Sequence, residues 1–178
     1  MEANKYEASR LVVLFNSLFQ SAEQTVLVGG AKEPIYMPSS VENGLAQVVF
    51  SYDYFASALH EVAHWCLAGT ERRQQLDYGY WYVECRSELE QEAFERAEVK
   101  PQALERVFSE CTGYPFKPSF DCLQRPEYVA DNFVAAMSAQ YEQFLLRGLP
   151  SRAALFADAL CSEFSVSCAP NIQRQANG

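Results

Sequence analysis

Apolar residues recur at helical spacing in Leu11, Leu14, Phe15, Leu18 and Phe19, which predicts an amphipathic helix over about 5–20. The pattern then changes. Thr25-Val26-Leu27-Val28 stops at Gly29-Gly30, Ile35-Tyr36-Met37 lies between Pro34 and Pro38, and Gln47-Val48-Val49-Phe50 is short and rich in β-branched residues. These runs predict two or three strands joined by turns. A long helix follows from Tyr54 to Ala68, with Asp53 or Ser51 as candidate N-caps and Gly69 as the candidate C-terminal stop. An Arg-, Gln- and aromatic-rich loop covers 70–83, and a second helix is expected from about Ser87 to Lys100. Pro101 is expected to end or kink that helix, and can open a further stretch from Gln102 to Cys111. Glycine and three prolines punctuate 113–126. Val129, Phe133, Met137, Tyr141 and Phe144 mark one more helix; Leu155, Phe156, Ala159 and Leu160 mark a last one. Residues from about 165 read as a loose tail.

The pattern thus gives a mostly helical α+β fold. Its small sheet lies in the N-terminal third, beside the helix over 54–68. No internal repeat or long Pro/Gly/Ser linker divides the 178 residues, so one domain over 1–178 is expected. A chain of this length buries roughly 70% of its unfolded surface without needing disulfides or metal to fold.

Charge and composition narrow the function. The net charge of −9 argues against non-specific binding to nucleic acid or anionic membrane. No apolar run exceeds five residues, and the N-terminus Met1-Glu2-Ala3-Asn4 is not basic. Neither a bilayer span nor a secretory leader is expected, which places the chain in the cytoplasm. Cys66, Cys85, Cys111, Cys122, Cys161 and Cys168 form no C-x-x-C pair and are expected to be reduced, mostly as small buried hydrophobes.

The chemistry concentrates in one place. The chain has two histidines, His60 and His64, and Glu61 lies between them in His60-Glu61-Val62-Ala63-His64, an H-E-x-x-H pattern inside the 54–68 helix. Residues i and i+4 share a helix face, so both imidazoles can converge on one divalent metal. Phe55, Leu59, Val62 and Cys66 form the apolar stripe of the same helix, with the histidines at its edge, where they would line a cleft. Glu61 points away from them, within reach of a metal-bound water but poorly placed as a ligand. A structural metal would want four protein ligands, and no cysteine has suitable spacing.

A third ligand is needed. Glu84, Glu88, Glu90, Glu92, Glu95 and Glu98 crowd the following helix, mostly as a solvated face. Glu98, one turn after Phe94, sits at a core margin, but spacing alone does not select it. Two histidines plus one carboxylate fit either catalytic zinc or non-haem iron(II).

Ala56-Ser57-Ala58-Leu59-His60-Glu61-Val62-Ala63-His64-Trp65-Cys66 resembles the bacterial elongation factor P hydroxylase family. So do Glu33-Pro34-Ile35-Tyr36-Met37-Pro38, Asp77-Tyr78-Gly79-Tyr80-Trp81-Tyr82, Glu98-Val99-Lys100-Pro101-Gln102-Ala103-Leu104 and Gly113-Tyr114-Pro115-Phe116. These blocks follow the family's order over about 5–120. The resemblance implies a metal-dependent protein hydroxylase that adds a hydroxyl group to the β-lysylated lysine of translation elongation factor P, the final step of that modification. It implies His60, His64 and Glu98 as metal ligands, with Fe(II) as the expected metal and molecular oxygen as oxidant. Glu61 would then orient a ligand or manage protons. Trp65, Tyr78, Tyr80, Trp81 and Tyr82 either wall the cleft or belong to the core, and Arg72 and Arg73 are candidates for contact with the partner protein. The alternative is a zincin-type zinc hydrolase with Glu61 as general base.

Overall fold

The computed structural model describes residues 5–42, 44–77, 87–120 and 131–166, with the side chain of Glu88 left aside. Helix α1 (Ala8–Phe19) leads into strands β1 (Thr25–Ala31), β2 (Ile35–Met37) and β3 (Ala46–Ser51). Helices α2 (Phe55–Leu67), α3 (Glu88–Thr112), α4 (Asp131–Arg147) and α5 (Ser151–Glu163) follow, with one 3-10 turn at Arg72–Gln74. No helix among the described residues is long and apolar enough to cross a membrane.

The three strands form one sheet in the order β1-β3-β2, with β1 parallel and β2 antiparallel to the central β3. Leu27 aligns with Val48, and Tyr36 aligns with the same residue from the other side. Both outer edges are partly covered. The Leu27 amide donates to Asn16 Oδ1 of α1 at 2.8 Å. On the far edge, Tyr36 exchanges backbone hydrogen bonds with Asp77 at 2.7 and 3.0 Å.

One buried cluster unites the elements. Leu11, Phe15 and Phe19 of α1 meet Leu27, Val48 and Phe50 of the sheet and the α2 stripe Phe55, Leu59, Val62 and Cys66. Leu104, Val107 and Phe108 of α3 join them, with Met137 and Phe144 of α4 and Phe156 and Leu160 of α5. Leu155, one of the residues that mark α5 in the sequence, is exposed, one position off the buried face of that helix. Cys66 and Cys111 are buried free thiols and Cys161 is partly buried. Cys85, Cys122, Cys168, Tyr78, Tyr80, Trp81, Tyr82, Glu84 and Val129, and most of the expected tail, lie outside the described residues.

Two expectations about helix ends are corrected. α2 has no side-chain N-cap: neither Ser51 nor Asp53 caps it, and the Ser51 amide instead donates to Ser57 Oγ at 3.0 Å. Gly69 does not close its C-terminus either. Arg152 of α5 does that, its Nη2 lying 3.0, 3.2 and 2.6 Å from the carbonyls of Trp65, Cys66 and Ala68. The Trp65 carbonyl also accepts from the Ala68 amide at 3.3 Å, whereas those of Cys66 and Ala68 would otherwise be orphan acceptors of a helix end.

Pro101 does not end α3, which runs unbroken for 25 residues from a Ser87–Glu90 capping box to Gly113. Gly113 takes the left-handed conformation, φ 73°, that commonly closes a helix. Proline inside a helix costs about 3 kcal/mol. The residues beyond it offset that, because Ala103, Leu104, Val107, Phe108 and Cys111 are fully buried.

Candidate metal centre

The continuity of α3 builds the site. Gln91, Phe94, Glu98, Gln102 and Glu105 recur at helical spacing and form one stripe facing inward. All are buried except Glu105, which is partly so. The stripe packs toward α2, whose apolar residues enter the core and leave His60 and His64 at the margin. The two histidine side chains are 24% and 28% exposed, whereas Glu98 is only 3% exposed. Glu98 is therefore deeper than the core margin expected of it.

His60, His64 and Glu98 each present a donor atom within 4.8 Å of the others, a set that could hold a metal ion. The two Nε2 atoms are 3.0 Å apart. Glu98 Oε1 lies 3.2 Å from His64 Nε2, and Oε2 lies 3.5 Å from His60 Nε2. Donors bound at ~2.1 Å with mutual angles of roughly 90–115° have separations of this size. The residues thus fit one face of a coordination sphere, and all three line a cavity. Glu95 is not part of the set; it accepts a hydrogen bond from Gln91 at 3.1 Å.

Two residues not singled out from the sequence hold this set in place. Glu105 Oε2 lies 2.8 Å from His60 Nδ1. A proton held at Nδ1 leaves Nε2 as a lone pair directed at the centre, the usual arrangement behind a metal-bound histidine. Gln102, wholly buried, reaches Glu98 Oε2 at 3.4 Å and is itself fixed by paired bonds to the Ser119 backbone at 2.8 and 3.0 Å. The signal that points to both is the stripe: polar residues at i+4 and i+7 from Glu98 inside a buried apolar run.

The electrostatics favour a cation. Burial alone lowers the affinity of His60 for a proton. The Glu105 hydrogen bond, with the charges of Glu105, Glu61 and Glu98, outweighs it and raises the pKa to about 10. Burial alone raises the Glu98 carboxyl. The hydrogen bond and charge of His64, with His60 and Gln102, bring it down to about 2. Burial pushes Glu61 up, the two imidazoles pull it back, and Glu98 and Glu105 push it further up. A divalent ion would feel the same negative potential as the proton on His60.

The centre opens into a cavity of about 700 Å³. α2 contributes Ser57, Glu61 and Trp65 to its wall, and the β1–β2 turn contributes Lys32, Glu33 and Pro34. Glu61 lines the cavity, and its carboxylate feels the charges of both imidazoles. Trp65 is chiefly a core residue, 3% exposed, packed on Phe15 and Phe19. Arg72 also borders the cavity but pairs with Asp77 at 2.6 Å; Arg73 pairs with Glu23 at 2.8 Å.

The profile of the elongation factor P hydroxylase family matches residues 14–175, so the match runs through α4 and α5 as well as the motif-bearing part. A relative from Haemophilus influenzae, elongation factor P lysine hydroxylase, is 38% identical over 162 residues. That alignment covers 90% of this chain and 91% of the relative. With a matching profile over most of its length and a relative this similar, the chain belongs to the elongation factor P hydroxylase family.

Proposed function

We propose that this protein hydroxylates elongation factor P at its β-lysylated lysine, as the last step of that modification, in the cytoplasm. The observation that carries the reading is the convergence of His60, His64 and Glu98 at the inner end of a cavity, in a chain of this family. The zinc-hydrolase alternative finds no support in the family match.

His60, His64 and Glu98 would hold the metal, Fe(II) being the expected one. When bound, such a metal supplies the redox chemistry with molecular oxygen that side chains lack for an unactivated C–H bond. The chain's own residues do the rest. Glu105 keeps the proton of His60 on Nδ1 and so directs Nε2 inward. Gln102 steadies the Glu98 carboxylate and ties it to the backbone at Ser119. Glu61, beside the ligands on the cavity wall, orients the substrate or moves protons. Trp65 and the packed face of α2 keep water from the back of the centre.

The test is the intact mass of β-lysylated elongation factor P after co-expression with this protein, with the His60→Ala variant alongside. The expected result is a gain of one oxygen atom that the variant does not give. No gain from a folded, metal-loaded enzyme facing a fully lysylated partner would refute the reading.

A further inference from the structure

The mouth of the cavity carries a feature that the metal centre does not explain. Tyr52 and Tyr54 are 47% and 58% exposed, and both line the cavity. Their rings lie 5.2 Å apart at 50°. Between β3 and α2 the chain holds Tyr52 in the left-handed region, φ 49°, where a bulky side chain is uncommon. Two backbone hydrogen bonds pin it there. The Tyr52 amide donates to the Ala31 carbonyl at 2.7 Å, and the Gly30 amide donates to the Tyr52 carbonyl at 2.6 Å. Tyr54 is the N-cap residue of α2, six positions before His60, which is about 9 Å along the helix axis. The backbone that starts the metal-bearing helix therefore presents two aromatic faces at the entrance to the centre.

We infer that Tyr52 and Tyr54 are specificity-determining residues that grip the aliphatic stem of the incoming lysyl chain at the cavity mouth. The inference rests on the hydroxylase reading and names how that site selects its substrate. The chemistry is graded along the path. Aromatic faces at the mouth suit methylene groups and the flank of an ammonium. The carboxylate of Glu61 on the inner wall suits the cationic end. An amphipathic chain with an apolar stem and a positive tip matches both.

The experiment uses full-length, metal-loaded enzyme and β-lysylated elongation factor P. Steady-state kinetics compare wild type with Tyr52→Gly, Tyr54→Ala, the double variant, and Tyr52→Phe/Tyr54→Phe. Glycine at 52 relieves the backbone strain, so loss of the ring is separated from loss of the fold. The inference expects KM to rise about tenfold in the double variant, a loss of some 1.4 kcal/mol of binding. It also expects kcat and metal content to stay near wild type, and the Phe pair to behave as wild type. An unchanged KM in the double variant, or a Phe pair as impaired as the double variant, would overturn it. If wild type itself adds no oxygen to the lysylated partner, the hydroxylase reading fails first.

Discussion

Arg152 offers the sharpest test of how the fold supports the centre, because it joins α5 to the helix that carries both histidines. Its guanidinium meets three carbonyls at the end of α2, stacks 4.6 Å over Trp65 and lies 3.9 Å from Glu23. Replacement by Met keeps the stem and removes the fork. Nη2 has two protons, so at most two of its three contacts are full-strength bonds, at about 1.5 kcal/mol each for a charged donor. Relief of the helix C-terminus adds about 0.5–1 kcal/mol, and the cation–π contact about 1 kcal/mol. The Glu23 contact adds little, since Glu23 keeps Arg73. The expected loss is roughly 3–5 kcal/mol, because these contributions overlap. For a chain of this size that lowers Tm by roughly 6–20 °C. Urea denaturation should show a lower midpoint with an unchanged m-value, and Arg152→Lys should fall between the two because it keeps charge but not the fork. A loss below about 1 kcal/mol for Arg152→Met would refute the account, and would mean that water satisfies those carbonyls equally well.

Four further outcomes are expected. Glu98→Ala should lose both bound metal and hydroxylation while Glu95→Ala keeps both, by metal analysis and product mass; the reverse would overturn the ligand assignment. Glu105→Ala should weaken metal affinity roughly 10–100-fold in a competition titration, with Glu105→Gln milder because it still accepts from His60 Nδ1. In metal-free protein the His60 pKa is raised to about 10, above the ordinary value of 6.5. The stabilisation from protonated His60 is therefore fully present below pH 6.5 and lost as pH climbs toward 10, so Tm should fall across that range more than in His60→Ala. Gly29→Ala would place a Cβ 2.6 Å from Phe50 Cζ, and should destabilise by about 1–3 kcal/mol in thermal melts without altering metal uptake.

Much of this was legible in the sequence, because periodicity reports which face of an element is buried. The stripe Phe55, Leu59, Val62 and Cys66 is buried, and α2 spans Phe55–Leu67 where Tyr54–Ala68 was expected. Ile35–Met37 forms a strand as its composition suggested. The parallel pairing of β1 with β3 was not legible, since periodicity locates strands without naming their neighbours. Pro101 misled because a local rule competes with burial two turns further on. Read as a break, it separates Glu98 from Gln102 and Glu105; in the continuous helix the three share one stripe. The Arg152 contact was hidden for another reason: it is a side-chain cap supplied from 84 residues away. No local pattern carries that information.

The covered edges of the small sheet have a consequence for recognition. With the Leu27 amide held by Asn16 and both Tyr36 backbone groups held by Asp77, a visiting loop finds those backbone groups already taken on either side. Pairing of an extended partner segment is thus blocked at Leu27 and Tyr36, and the chain is protected at the same two points against joining sheets with its own copies. Discrimination among partners falls to shape and side-chain chemistry around the opening.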